Sequence, residues 1–568
     1  MSIVNVAVPS IQRALTTLAP ALSAPPVTMF GPDFPFGYDR WLTHTDGLGS
    51  VPAERLGTPV AVVGGGIAGL VAAYELMRLG LRPVVFEAEQ LGGRMRTATF
   101  PGYPGSVAEL GAMRFPPSAT TLFHYVDLVG LETRPFPNPL APATPHTVVD
   151  VNGVQHSARM TDDLPAVYQE VYDAWNKALE EGADFAAMDA AIRHRDTATV
   201  KALWNRLVPL LDDQSFYGFL ASSPNFASFR HREIFGQVGF GSGGWDTDFP
   251  NSVLEILRVV YTGADDRHRL LAGGAQQLPL RLWRHAPDRL AYWPAGTSLE
   301  SLHVDGPGPA VTRISRAGGR IRVETARGAD DFATAVLTPQ VRLLLSRIET
   351  DEDLFPVDVW SAVERTHYMG GSKLFALVDQ PFWGEVDQRT GRPVMGMTLT
   401  DRSPRGVYLF DEGPDAPGVM CLSYTWNDDS LKVAALPAAE RLTVMLRHLR
   451  RIYPDVDVQR RIVAPPIAVT WENEPHFMGA FKGNLPGHYR YQRRLFTHFM
   501  QDALPVHQRG IFLAGDDVSW TGGFAEGAVT TALNAVWGVL HHLGGRTPEA
   551  NPGPGDVFAS IAPIELPY

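Results

Sequence analysis

Pro59-Val-Ala-Val-Val-Gly64-Gly-Gly66-Ile67-Ala68-Gly69-Leu-Val-Ala-Ala-Tyr74-Glu-Leu-Met-Arg-Leu-Gly80 leads into Pro83-Val-Val-Phe-Glu87-Ala88 and then Leu91-Gly92-Gly93-Arg94-Met95-Arg96. Val60 to Val63 is the apolar, β-branched run of a buried parallel strand. Gly64-x-Gly66-x-x-Gly69 follows at once. In such a run the first glycine makes a tight turn, the second admits a pyrophosphate, and the third lets helix pack on strand. The opening helix turns free N–H groups and a positive dipole end toward the phosphates. Ile67, Leu70, Val71, Tyr74 and Leu76 recur near helical spacing, and Gly80 stops the helix. Glu87 ends the second strand, placed to accept hydrogen bonds from a ribose. Strand, turn, helix, strand and acid occur in order, so the chain holds a dinucleotide.

Composition narrows the class. The 568 residues correspond to about three to four domain-sized units. A net charge of −12 disfavours binding to nucleic acid or an acidic membrane as a whole-molecule property. The single cysteine, Cys421, rules out an intrachain disulfide and a multi-cysteine metal site, and fits a reducing, cytoplasmic location. No run of about 20 apolar residues indicates a membrane span. Residues 1–26 lack a basic start and a long apolar core, and read as a leader and not a secretory signal.

Outward from the decisive stretch, residues 27–55 are rich in Pro, Gly and aromatics and read as an ordered arm. Leu164 to Glu181 and Thr197 to Leu211 read as helices. Val311 to Thr325 reads as a hairpin turning at Gly318-Gly319. Gly510-Ile-Phe-Leu-Ala-Gly515-Asp516 is a buried strand ending in glycine and acid, followed by a helix from Glu526 to Leu543. The tail from Asn551 reads as extended.

The second turn, Gly92-Gly93-Arg94-Met95-Arg96, extends the first into a pattern that resembles the FAD fingerprint of glutathione-reductase-like flavoproteins, in their amine-oxidase branch. The run Ala514-Gly515-Asp516-Asp517-Val-Ser-Trp520-Thr-Gly522-Gly-Phe524-Ala525-Glu526-Gly-Ala528 resembles the second flavin signature of the monoamine oxidase and L-amino-acid oxidase family. The likeness is greatest to the bacterial L-amino-acid oxidases and the lysine and tryptophan 2-monooxygenases. It implies an α/β fold with three parts. These are a Rossmann-like FAD domain (27–120, 265–350, 501–548), a mixed-sheet substrate domain (121–159, 351–500) and a helical insertion (160–264), with a tail from 549.

The resemblance also carries site residues. For the cofactor these are Gly64, Gly66, Ile67, Ala68, Gly69, Glu87, Ala88, Gly93, Arg94, Met113, Arg114, Gly515, Asp516, Phe524, Ala525 and Ala528. Glu109-Leu-Gly-Ala112-Met113-Arg114-Phe-Pro resembles a run whose arginine clamps a substrate carboxylate, with Ala112 in place of the usual glycine. A guanidinium suits that bidentate task. The other reading of Arg114 is a surface ion pair with Glu109. Lys373, in Gly370-Gly-Ser-Lys373-Leu, resembles the family lysine that holds a water at flavin N5; otherwise it is a snorkelling lysine at a strand end.

Tyr424 matches a hydroxyl that joins the carboxylate, and Phe524 matches one wall of the aromatic pair around the amine. Trp426, Trp471, Phe477 and Phe481 are further aromatic candidates, each equally a core residue. Asp248 matches an acid that meets the distal amine in lysine-acting relatives, or it caps the helix from Ser252 to Val260. Ala264 stands where some monooxygenase relatives carry cysteine.

Other chemistry is missing. Phe240 spoils a GxSxG elbow at Gly241-Ser242-Gly243, and no histidine–carboxylate set has zinc spacing, so no metal is expected. Cys421 lies outside the flavin signature, which implies non-covalent FAD. The activity implied is oxidation of an L-α-amino acid by hydride transfer from Cα to flavin N5, then reoxidation by O2, giving 2-oxo acid, ammonia and H2O2. The alternatives are a 2-monooxygenase, giving an amide and CO2, and an amine or polyamine oxidase. Relatives commonly form dimers or larger homo-oligomers.

Overall fold

The computed structural model describes residues 30–226, 228–239, 244–413 and 415–567. The leader 1–26 and the Phe240–Gly243 stretch lie outside the described residues.

Four parallel strands form the dinucleotide-binding sheet, in the order Arg82–Phe86, Pro59–Val63, Ala335–Leu337, Ile511–Leu513. Both of its faces are covered, as a parallel sheet requires. Val60 and Val62 face one apolar cluster, which holds the helices Ile67–Arg78 and Ala525–His542. Ala61 and Val63 face another, built on the meander Val311–Ala317, Arg320–Thr325 and Gly328–Phe332. The expected hairpin turn forms, with Gly318 and Gly319 at φ 57° and 77°. Two successive positive φ values match the twist of the paired strands and suit glycine.

The second sheet is mixed and has seven strands. Its order is Ile467–Thr470, Gly371–Val378, Gly418–Trp426, Gly406–Phe410, Met397–Thr400, Thr147–Val151, Val154–Ala158. Met397–Thr400 runs parallel to Thr147–Val151, and the other pairs are antiparallel. Residues 166–261 carry the helical insertion. Its first helix spans Ala166–Ala183 and not Leu164–Glu181, because Pro165 occupies the N-cap and the chain turns left-handed only at Asp184.

Four segments pack differently from expectation. Helix Thr120–Leu128, assigned to the substrate side, docks on Ala525–His542. The carboxylate of Glu526 accepts from Thr121 N at 3.0 Å and Leu122 N at 2.6 Å, so one helix supplies the N-terminal cap of the other. Helices Val357–Arg365 and Tyr489–Thr497 pack on each other and insert Val363 and Leu495 into the meander cluster. The tail is folded and not extended. It contains the short helix Phe558–Ile561, and Asn551 Nδ2 donates to Trp41 O at 3.0 Å and Gly47 O at 2.8 Å. Phe30, Phe34, Tyr38 and Trp41 of the N-terminal arm are buried. Among the described residues no helix is long and apolar enough to cross a membrane.

One ring packs closely against the tail. Gly555 lies flat on Trp537, and a Cβ there would drive into the indole. Gly555→Ala is expected to destabilise the protein by about 1–3 kcal/mol through overpacking. A thermal melt checks this, and an unchanged melting temperature would show that the tail does not depend on the contact.

Candidate active site

A cavity of about 590 Å³ runs from the carboxyl ends of the parallel strands to the edge of the mixed sheet. At its first end the two glycine turns lie back to back. Gly64 has φ 101°, and a Cβ on Gly69 would collide with the Gly64 carbonyl, so turn and helix require both glycines. A Cβ on Gly93 would stand 3.2 Å from the Gly66 Cα. The resulting groove lacks side chains on both sides and opens on the N-terminus of Ile67–Arg78, where no side chain caps the helix. Gly64, Gly66, Ile67, Ala68, Ala88 and Gly93 line it, while Gly69 sits behind the turn. Glu87 is held in place: Oε2 accepts from Gly65 N at 2.7 Å and Oε1 from Glu89 N at 2.9 Å.

In the middle, Arg94 and Asp516 face each other. Arg94 Nη1 donates to Asp516 Oδ2 at 3.1 Å and to Ala480 O at 2.9 Å, and Nη2 pairs with Oδ1. Asp516 Oδ2 also accepts from Gly523 N at 3.1 Å. Arg96 does not reach the wall. It pairs with Glu89 and Glu474 and lies 5.3 Å from the rings of both Trp471 and Phe477.

The same cavity is also lined by Met113, Arg114, Lys373, Tyr424, Trp426, Phe481, Phe524 and Asp248, and by Gly515, Ala525 and Ala528. Lys373 and Tyr424 are register partners on adjacent strands, and the ammonium lies 4.6 Å from the phenol ring. Lys373 is buried within its strand, which removes the snorkelling reading. Its Nζ donates to Glu109 O at 2.9 Å and to Gly111 O at 2.5 Å. Burial pushes its pKa below the usual lysine range.

Glu109 does not pair with Arg114. Its carboxyl is buried, accepts from Thr97 Oγ1 at 2.8 Å and Ala275 N at 2.7 Å, and is pushed up by burial. Arg114 is left with Nη1 enclosed and without a hydrogen-bond partner, and its guanidinium lies 5.4 Å from the Tyr424 ring. Burial opposes its charge, but Tyr408, Tyr424 and Asp265 together hold its pKa above the usual value. The glycine that the loop needs is Gly111, whose Cβ would strike the Arg94 carbonyl; Ala112 stands on the wall.

Asp248 lies in the 3-10 turn Trp245–Asp248, and its Oδ1 accepts from Asn251 Nδ2 at 3.1 Å. Ser252 caps the helix Val253–Tyr261, with Oγ accepting from Leu254 N at 3.3 Å, so the capping reading of Asp248 falls away.

Trp471, one of the aromatic candidates, lines the wall, whereas His268, Glu255, Asp265 and Lys482 are wall residues that sequence reading missed. Trp471 Nε1 donates to Leu110 O at 3.1 Å, so three consecutive carbonyls ahead of Arg114 are held by Lys373 and Trp471. His268 is buried against Arg114, and its Nε2 lies 3.0 Å from the Ala264 carbonyl. Burial, then the guanidinium, lower the His268 pKa to about 3, which keeps the imidazole neutral. Ala264 itself is buried behind the wall. Glu255, Asp265 and Lys482 also face the cavity. No local motif marks any of them.

Residues 67–540 match the family of flavin containing amine oxidoreductases. The chain belongs to this family. It is 34% identical over 563 residues to a tryptophan 2-monooxygenase of Pseudomonas savastanoi, covering 92% of this chain and 96% of that one. It is 26% identical to a flavin-dependent L-tryptophan oxidase of Lentzea aerocolonigenes, covering 84% and 97%. Putrescine oxidase, solved with putrescine, shares the fold at a TM-score of 0.64 and 20% identity, covering 85% of this chain and 99% of that one. Cyclohexylamine oxidase from Brevibacterium oxydans does so at 0.63 and 19%, covering 86% and 99%. The cofactor of this flavin amine oxidoreductase is therefore a flavin. The side-chain-free groove, the open helix N-terminus and the acids at Glu87 and Asp516 suit its dinucleotide form.

Asp248 gives the cavity a pH signature. Burial, then Asp246 and Asp265, raise its pKa to about 7. A carboxyl raised above its unfolded value lends stability at low pH and loses it as pH rises toward 7. Asp248→Asn should therefore gain on the wild type between pH 4.5 and 7.5, by about 1–2 kcal/mol after allowance for solvent in the cavity. Urea unfolding at the two pH values reads the difference, and a constant gap would show that Asp248 titrates normally.

Proposed function

We propose that this chain oxidises an L-α-amino acid at Cα, using non-covalent FAD and O2. The observation that carries the reading is Arg114, a cation on the cavity wall whose enclosed Nη1 lacks a partner in the fold. A substrate carboxylate supplies the missing acceptor, and the Tyr424 hydroxyl joins it. An amine lacking that carboxylate leaves the guanidinium unsatisfied, at a cost of about 1–3 kcal/mol or more for a charged group. This disfavours the simple-amine oxidase reading, although both solved structures named above are amine oxidases.

The bound FAD supplies the hydride acceptor. The chain's own residues orient the substrate and protect it. Phe524 and Phe481 flank the amine, and Trp426, tilted against Tyr424 with ring centroids 4.6 Å apart, closes the side. Lys373 has committed two of its N–H groups to backbone carbonyls, which leaves one to order a water beside the reacting carbon. Cys421 is buried, with Sγ 3.4 Å from Ser423 O, and is not on the cavity wall, which suits a cofactor held without a covalent bond.

The side chain favoured is large, with an N–H at its far end. Aromatic walls provide the apolar area, and Asp248 provides an acceptor suited to an indole or an amine.

Two outcomes conserve atoms. In one, amino acid, O2 and water give 2-oxo acid, ammonia and H2O2. In the other, amino acid and O2 give the shortened amide, CO2 and water. The 34% likeness to a tryptophan 2-monooxygenase supports the second, and the likeness to a tryptophan oxidase supports the first. One assay separates them: a panel of L-amino acids in air, with H2O2, CO2 and product mass recorded together. Arg114→Ala should raise the KM of the best substrate at least a hundredfold while the protein stays yellow. Near-normal kinetics in that variant would remove Arg114 from the site and the amino acid from the proposal.

A further inference from the structure

Four charges, three buried and one (Glu255) nearly so, form a chain that the chemistry above does not use. Asp33, in the N-terminal arm, is fully buried and accepts from Arg258 Nε at 2.7 Å and Nη2 at 3.0 Å. Arg258 Nη1 donates to Glu255 Oε1 at 2.6 Å, and Asn484 Nδ2 donates to the same oxygen at 3.2 Å. Glu255 Oε2 stands 3.6 Å from Lys482 Nζ. Lys482 Nζ donates to Ser519 O at 2.9 Å. The signs alternate from the arm inward, and the chain ends in a cation.

That cation is placed with care. The Lys482 side chain is 0% exposed, so it does not reach for bulk water. A Cβ on Gly522 would stand 2.7 Å from Lys482 Cε, which puts the aliphatic stem directly under the Gly522–Gly523 loop. The loop leads into Phe524 and the N-terminus of Ala525–His542, and Gly522, Gly523, Lys482 and Glu255 all line the cavity. Asp33 and Arg258 do not. A well-packed apolar residue would serve stability as well as a buried ion pair or better. The charge is therefore unexplained by packing alone. Its position suits the ring end of a cofactor that gains negative charge on reduction. Fixed charges near the ring nitrogens tune a flavin.

On the reading that the flavin ring occupies this end, we propose that Lys482, held by Glu255, is a second fixed cation of the cofactor site and raises the affinity of the bound flavin for negative charge. Lys373 approaches from the mixed sheet and Lys482 from the strand Phe481–Lys482. The two lysines thus reach the cavity wall from different elements.

The test uses FAD-loaded protein and sulfite, an anion that adds to the flavin and bleaches its visible band. Lys482→Gln retains a donor for Ser519 O but removes the charge, and should weaken sulfite binding at least tenfold. Glu255→Gln, assayed at a pH low enough to keep the buried Lys482 protonated, leaves the cation uncompensated and should tighten binding several-fold. The double variant should return close to the wild type, and Lys482→Arg should stay within about threefold of it. Opposite shifts in the two single variants are a sign that loose packing would not produce. Shifts in the same direction, or none in FAD-replete protein, overturn the proposal. If Lys482→Gln fails to hold FAD, Glu255→Gln and Lys482→Arg decide alone. A wild type that binds no FAD removes the cofactor reading itself, and this inference with it.

Discussion

Arg94 holds the site together. Its guanidinium is shared between Asp516, at the end of the last strand of the parallel sheet, and the carbonyl of Ala480, in the segment between the mixed sheet and the C-terminal signature. Its own carbonyl accepts from Ala112 in the Arg114 loop. One residue therefore ties the second glycine turn, Asp516, the Ala480 segment and the Arg114 loop. A bidentate arginine–carboxylate pair has the directionality this requires, and its low exposure strengthens it. Lys373 and Trp471 complete the frame by holding the Glu109, Leu110 and Gly111 carbonyls. Arg114 stands at the end of a loop with little freedom, which is what preorganised carboxylate binding needs.

Burying so many ionisable groups in one cavity shifts several of them. Asp248 and Glu526 are raised to about 7, in both cases first by desolvation, and Glu109 moves in the same direction. The two histidine-range carboxyls differ in use. Glu526 caps a helix and has its partners inside the fold, whereas Asp248 has Asn251 and an open side toward the cavity. The contrast separates a structural acid from one available to a ligand.

The fold was legible where the chemistry is local. Strand, glycine turn and helix follow one another between Pro59 and Arg78, and glycine in this spacing has a steric cause that the Gly69–Gly64 contact makes plain. The Gly318-Gly319 hairpin was legible for the same reason. Arg114, Lys373, Tyr424 and Phe524 were found through motifs, and they do meet around one cavity. What escaped reading depends on contacts between distant segments. Glu526 draws the 120–128 helix to the dinucleotide side, and Trp537 folds back the tail. Lys482, Glu255 and His268 become site residues only when separate elements converge, because none carries a spacing that marks it. The capping alternative for Asp248 was removed by a neighbour, Ser252, that does the capping itself.

The central claim is that a flavin cavity is gated for amino acids by a carboxylate clamp. Anaerobic mixing of the yellow protein with an L-amino acid and with its decarboxylated amine tests it directly. The account predicts that the amino acid bleaches the flavin band and the matched amine, at equal concentration, does not. Equal bleaching by the amine, or bleaching by the amine alone, would contradict it.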